Sequence, residues 1–241
     1  MIPVDHLCDF KRGKTWWTFI YLEERLTTIS RYVTFSKSNE STWSEELASL
    51  LILSGSATNT FFEMMRKNCP YIKSVQSVID EGKIVKKRAK EKGSPFWDIN
   101  NYRDALNPIY EFSKNSVIVP FGLDDYGEIR PFAKFDSYEV PPWWTAYNKL
   151  KHDYYKDTKI YATLDNVINC LAGLLILNTL HKCSQEYLCR YRIINDKYNS
   201  SPEILIEHLS ETMLGYPEST LKEPYIQTKQ FIMRLREIKK K

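Results

Sequence analysis

Glycine is scarce in this 241-residue chain, eight in all. So few argue against a turn-rich all-β fold and against a glycine-dense phosphate loop. No Walker loop, G-x-G-x-x-G or H-E-x-x-H occurs in the sequence, so no motif calls for a cofactor or a resident metal. The five cysteines, Cys8, Cys69, Cys170, Cys183 and Cys189, contain no C-x-x-C pair. An odd number without a signal peptide points to reduced thiols and a cytoplasmic protein. The longest apolar run, Cys170 to Leu177, falls far short of the ~20 residues that span a bilayer, so no membrane segment is expected. Neither sign of charge dominates: 34 Lys and Arg against 30 Asp and Glu leave a net charge of +4, which tolerates a polyanionic partner without requiring one.

What the chain has instead is aromatic mass. Phe, Trp and Tyr make up 14% of it, and a chain of this length buries a substantial core without disulfides or metals. The periodicity of Trp17, Ile20, Tyr21, Leu26, Ile29 and Val33 predicts an amphipathic helix from about Trp16 to Phe35. A second helix is expected from about Trp43 to Lys67, with Ser41 or Thr42 as its cap and Glu45 completing a capping box. Its middle, SGSATNT, consists of small residues and reads as a close approach to another helix across Gly55 and Ala57. Pro70 ends it. A third helix, Tyr71 to Lys92, finishes in GKIVKKRAKEKG, where Lys86, Lys87 and Arg88 lie in the densest basic run of the chain. That run is either a solvated helix end or a phosphate-backbone contact.

DINNYRDALNPIYEF reads as a short helix kinked or ended near Pro108. SVIVPF and EIRPFAKF flank a Gly/Asp turn and suggest a small hairpin, with prolines that favour edge strands or extended loop. Asp124 and Asp125 lie in that turn, where turn chemistry explains them better than a carboxylate dyad. Glu203–Leu214 and Ser219–Lys240 read as two terminal helices. The expected fold class is mainly α: an antiparallel helical bundle over residues 1–194 with an inserted extended or hairpin segment at about 93–142, then a C-terminal helical appendage over 195–241.

The chain is organised around Pro141 to Leu180, PPWWTAYNKLKHDYYKDTKIYATLDNVINCLAGLLILNTL. Leu164, Val167, Ile168, Leu171, Leu174 and Leu175 form a broad apolar face. Trp143 and Trp144 read as a packing wedge at the helix entrance. Between them, Asn148, His152 and Tyr155 stand at i, i+4 and i+7 and share one face if the helix has begun by Trp144. Lys149 and Lys151 lie beside that face. An imidazole shuttles protons near neutral pH, an ammonium stabilises a developing phosphoryl charge and an amide orients a hydroxyl. Such a set suits RNA cleavage without metal, with the 2′-hydroxyl as nucleophile. It is equally compatible with a histidine bonded locally.

PPWWTAYNKLKHDYY followed by ATLDNVINCLAGLLIL resembles the HEPN superfamily of helical domains, which includes ribonuclease toxins and defence proteins. The resemblance implies an antiparallel bundle that homodimerises, binds RNA or a nucleotide and acts as a metal-independent endoribonuclease of a defence or toxin–antitoxin system, with an antitoxin as partner. The alternative is a non-catalytic dimeric scaffold. In the ribonuclease reading the catalytic residues are His152, Asn148 and Lys151, and the substrate-binding residues are Tyr147, Lys149, Tyr155, Lys86, Lys87 and Arg88. The family's motif begins with Arg; here Tyr147 stands in its place, and none of His6, His152, His181 and His208 has an Arg five to seven residues before it. Glu63 is a further candidate to face the site. His181, Cys183 and Cys189 form an irregular H-x-C-x5-C that lacks an evident fourth zinc ligand.

Overall fold

A computed structural model describes residues 14–68, 97–119, 126–181, 188, 225–227 and 232–234. The fold is mainly α. Among these residues there are six α-helices: α1 (Lys14–Ser30), α2 (Glu45–Asn68), α3 (Ile99–Tyr110), α4 (Pro142–His152), α5 (Thr158–Tyr161) and α6 (Leu164–Leu180). Four short strands join them: β1 (Val117–Val119), β2 (Gly127–Ile129), β3 (Tyr225–Gln227) and β4 (Ile232–Arg234). The expected helix Tyr71–Lys92, with Lys86, Lys87 and Arg88, and the helix Glu203–Leu214 lie outside the described residues.

The chain divides into two compact units that alternate along it: Met1–Asn39 with Ser116–Ile129 and Asn178–Lys241, and Glu40–Asn115 with Arg130–Leu177. The sequence reading placed a single boundary, at residue 194.

In the first unit, α1 buries Trp16, Phe19, Leu22, Glu23, Leu26 and Ile29, the 3–4 spacing of an amphipathic helix. It stops at Ser30, five residues before the expected end. The hydroxyls of Thr27, Thr28 and Ser30 donate back to the carbonyls of Glu23, Glu24 and Thr27. Side chains that compete for the backbone in this way weaken a helix end.

β1 and β2 form the expected antiparallel hairpin, in the register Val117 to Ile129 and Val119 to Gly127. The second strand is shorter than EIRPFAKF suggested, because Ala133–Phe135 turns as a 3₁₀ helix. The terminal helix expected over Ser219–Lys240 is not formed where the structure describes it. β3 and β4 pair antiparallel there, and β4 pairs with β1 at Ile118 and Ile232, giving the sheet order β2-β1-β4-β3. An edge of β1 offers unpaired backbone groups. β4, carrying Ile232 opposite Ile118, supplies such a partner as a strand, the conformation that suits a β-branched residue.

In the second unit, Ser44 caps α2, accepting from the Leu47 amide at 3.0 Å. It does so in place of Ser41 or Thr42. The carbonyls of Thr42 and Glu40 instead accept from the amides of Leu164 and Asp165 at 2.8 and 3.0 Å, filling donors that the first turn of α6 leaves open. α3 is capped by Asp98, which accepts from two amides, and runs two residues past Pro108 to a left-handed Glu111 with φ 50°.

The small-residue middle of α2 does approach its neighbours closely. A Cβ on Gly55 would stand 2.3 Å from Cδ2 of Tyr147 on α4. Two other small residues, Ser54 and Thr58, face the Cys170 thiol of α6. From Cys170 to Leu180, α6 is buried at every position, as befits a helix that is apolar all round. Its Gly173 leaves room for Phe132 and Trp143, which a Cβ there would meet at 3.2 and 3.4 Å.

An aromatic cluster fills the rest of this unit. Phe62 stacks on Tyr102 at 4.9 Å and meets Phe112, Phe132 and Trp144 edge-on at 6.0 to 6.2 Å. Offset and edge-on pairs of this kind add to their area burial. Trp143 and Trp144 are both buried, and the Trp143 indole donates to the Pro131 carbonyl at 2.8 Å. The pair is a wedge that seats the start of α4.

Candidate functional site

α4 begins at a proline, whose fixed φ suits a first helical turn, and ends at His152. Thr145, Asn148, Lys149 and His152 recur along it at i, i+3, i+4 and i+7, which puts them on one face. The opposite face carries Trp143, Trp144, Ala146, Tyr147 and Leu150 into the core. Burial of that second set orients the first toward solvent.

Beyond His152 the chain turns. Asp153 is extended at φ −148° and ψ 77°, its amide bonded to the Lys149 carbonyl. Asp157 is left-handed at φ 61° and starts α5, a conformation Asp tolerates better than most residues. The Tyr154 hydroxyl donates to Glu45 Oε2 at 2.7 Å, and Thr158 Oγ1 donates to the Tyr154 carbonyl. By accepting a hydrogen bond from the protonated phenol, the Glu45 carboxylate raises Tyr154 above its ordinary range.

This turn and the exposed face of α4 enclose an open groove of about 400 Å3, lined by Thr145, Asn148, Lys149, His152, Asp153, Lys156, Asp157 and Tyr161. The volume is in the range of small-molecule sites. One imidazole, two ammonium groups, two carboxylates and an amide face it. Lys149, Lys151 and His152 occupy the last turn of α4, where the helix dipole favours cations. That dipole repels anions, so an anionic ligand here depends on the lysines.

Of the residues singled out in the sequence, Asn148, Lys149 and His152 come together in the groove. Lys151 lies on the flank of α4, its ammonium 5.6 Å from the centre of the Tyr147 ring, and does not line it. Tyr147 is a correction. It is 2% exposed, packed edge-on against Trp144 at 5.4 Å, with its hydroxyl 3.4 Å from the Ser56 hydroxyl. It is a core residue that cannot reach a substrate in the groove.

Tyr155 is also displaced from its expected position. α4 ends three residues before it, so it does not continue the Asn148–His152 face; it stands in the turn, 95% exposed. Glu63 accepts a bond from the Tyr102 hydroxyl and does not line the groove. His181 is buried, and Cys183 and Cys189 lie outside the described residues, as do Asp124 and Asp125. Among the described residues no group of three His, Cys, Asp or Glu is placed to hold a metal, and no helix is long and apolar enough to cross a membrane.

Thr145, Asp153, Lys156, Asp157 and Tyr161 are groove residues to which the sequence assigned no role. Thr145 could have been found, since it precedes Asn148 by three and His152 by seven. Tyr161 comes to the groove only through the turn at Asp157, which has no periodic signal.

No protein-family model, no curated protein and no solved structure matches this chain.

Proposed function

We propose that this groove binds RNA or a nucleotide by its phosphates and that His152 moves a proton in metal-independent endoribonuclease chemistry. The observation that carries the reading is the convergence of Asn148 and His152 with Lys149 and Lys156 on one open groove. The lysines hold the phosphate as point charges, without the fork geometry of an arginine. Asn148 orients the ribose or the phosphate. His152 takes the proton of the 2′-hydroxyl as that oxygen bonds to phosphorus, and the departing 5′-oxygen is protonated in turn. A second copy of the chain supplies the second imidazole, which makes the active species a homodimer. Lys151 adds to the positive field beside the groove without touching substrate. In the cell the protein acts in the cytoplasm, within a defence or toxin–antitoxin system and under the control of an antitoxin.

The test is RNA cleavage in EDTA by the wild-type chain and by His152→Ala. Cleavage by the wild type alone supports the proposal. Equal cleavage by both removes His152 from the chemistry.

A second reading is a non-catalytic dimeric interaction domain. The burial of Tyr147 at the motif's arginine position favours it. Under this reading the groove binds a ligand, and neither protein cleaves.

A further inference from the structure

Tyr155 is the most exposed large hydrophobic side chain among the described residues, at 95%. Lone exposed aromatics are common and need no explanation of their own. This one differs in that its base is held. Tyr154 meets it edge-on, ring centres 5.5 Å apart at 82°. Tyr154 is tied in turn to Glu45 on α2 through its hydroxyl and to Thr158 through its carbonyl. The turn thus holds the Tyr155 ring while leaving it almost wholly exposed to solvent. Lys156, the next residue in the chain, and Asp153, two residues before Tyr155, line the groove, so the turn that carries the ring also supplies a groove cation.

An open aromatic face next to a phosphate-binding cation is the arrangement that captures an unpaired base. The ammonium holds the backbone, and the ring stacks on whichever base follows. A paired base is already stacked within a helix and cannot present its face to such a ring without being unstacked. We infer that Tyr155 is a base-stacking residue that restricts the groove to single-stranded RNA. The inference rests on the proposed phosphate-binding role of the groove and adds the substrate class to it. The held ring of Tyr154 is a positioning element, acting through Tyr155.

The experiment uses the full chain and fluorescence anisotropy with labelled 2′-O-methyl RNA of about ten nucleotides, which carries no nucleophile. Three forms are compared: single-stranded, duplex, and an abasic strand of the same length. The wild type binds the single strand more tightly than the duplex. Tyr155→Ala weakens single-strand binding by roughly tenfold or more, the scale of one lost base stack, and leaves abasic binding unchanged. Tyr155→Phe restores the wild-type affinity. Lys149→Ala and Lys156→Ala weaken the single and abasic strands alike and flatten the salt dependence.

If Tyr155→Ala binds the single strand as the wild type does, the stacking role is overturned and the groove reading stands. If the wild type binds none of the three, or binds them regardless of Lys149 and Lys156, the groove reading fails and takes this inference with it. Equal loss on base-bearing and abasic strands also overturns stacking, because the ring would then be supporting the turn rather than reading a base.

Discussion

A Cβ placed on Gly55 would stand 2.3 Å from Cδ2 and 2.4 Å from Cγ of Tyr147, so α2 and α4 meet as they do only because residue 55 has no side chain. The relationship explains both the small-residue stretch in α2 and the tyrosine on α4. It also bears directly on the site, since the face of α4 that Tyr147 anchors is opposite the face that carries Asn148 and His152.

Gly55→Ala therefore destabilises the protein, although alanine is the better helix former by about 1 kcal/mol. The ring must move to admit the methyl, and overpacking of this kind costs about 1–3 kcal/mol. In a Tyr147→Leu background the same substitution costs less. Urea unfolding of the two single variants and the double variant measures the coupling; additive losses would show that the two residues do not share the contact.

Tyr147→Arg, which installs the motif arginine, lowers stability and does not raise RNA cleavage. The position is buried against α2 and faces away from the groove, so the guanidinium enters the core without a carboxylate partner, at a cost of about 3 kcal/mol or more. Denaturant midpoints together with the EDTA cleavage assay check this. A gain in cleavage at retained stability would mean that residue 147 can turn toward the groove.

His181 makes stability depend on pH. Burial pushes its imidazole down to about 4, from an ordinary value of 6.5. The unfolded chain takes up a proton below about pH 6.5, and the fold resists it until about pH 4. The stability this group contributes is complete above pH 6.5 and is lost progressively as pH falls through that window. The loss is on the order of 3 kcal/mol. His181→Gln flattens that part of the profile, as urea unfolding near neutral and at mildly acidic pH will show.

Cys170 stays unreactive in the folded protein. It is fully buried, and desolvation pushes its thiol up to about 12 despite the Ser54 and Thr58 hydroxyls beside it. Thiolate is the reactive form, so an alkylating reagent at mildly alkaline pH leaves Cys170 unlabelled until urea is added. Mass spectrometry of the Cys170 peptide reads the result; prompt labelling of the native chain would show that α6 opens readily.

Much of the helical framework was legible because periodicity reports burial. α1 and α2 begin within two residues of the positions their apolar spacing indicated. α6 was evident from Leu164 to Leu177. The close approach at Gly55 was legible as well, since small residues in a helix interior carry a propensity cost that packing must offset. The turn after His152 was not. KHDYYKD has no glycine or proline, and the helix ends there because Asp153 and Asp157 leave helical geometry while Glu45, over a hundred residues earlier, holds Tyr154.

The amino-acid sequence by itself determined that this is a mainly α chain with an aromatic core, and it placed Asn148 and His152 on one helical face with Lys149 beside it, because those features depend on residues a few positions apart. The tertiary structure alone decided that Tyr147 is core, that Tyr155 stands exposed in the turn after α4 and that the C-terminal segment enters the sheet as strands β3 and β4. Each of those outcomes depends on a partner distant in the chain: Gly55 for Tyr147, Glu45 for the turn, and the open edge of β1 for β4. Local spacing has no access to such partners, since they are brought together only when the chain closes on its core.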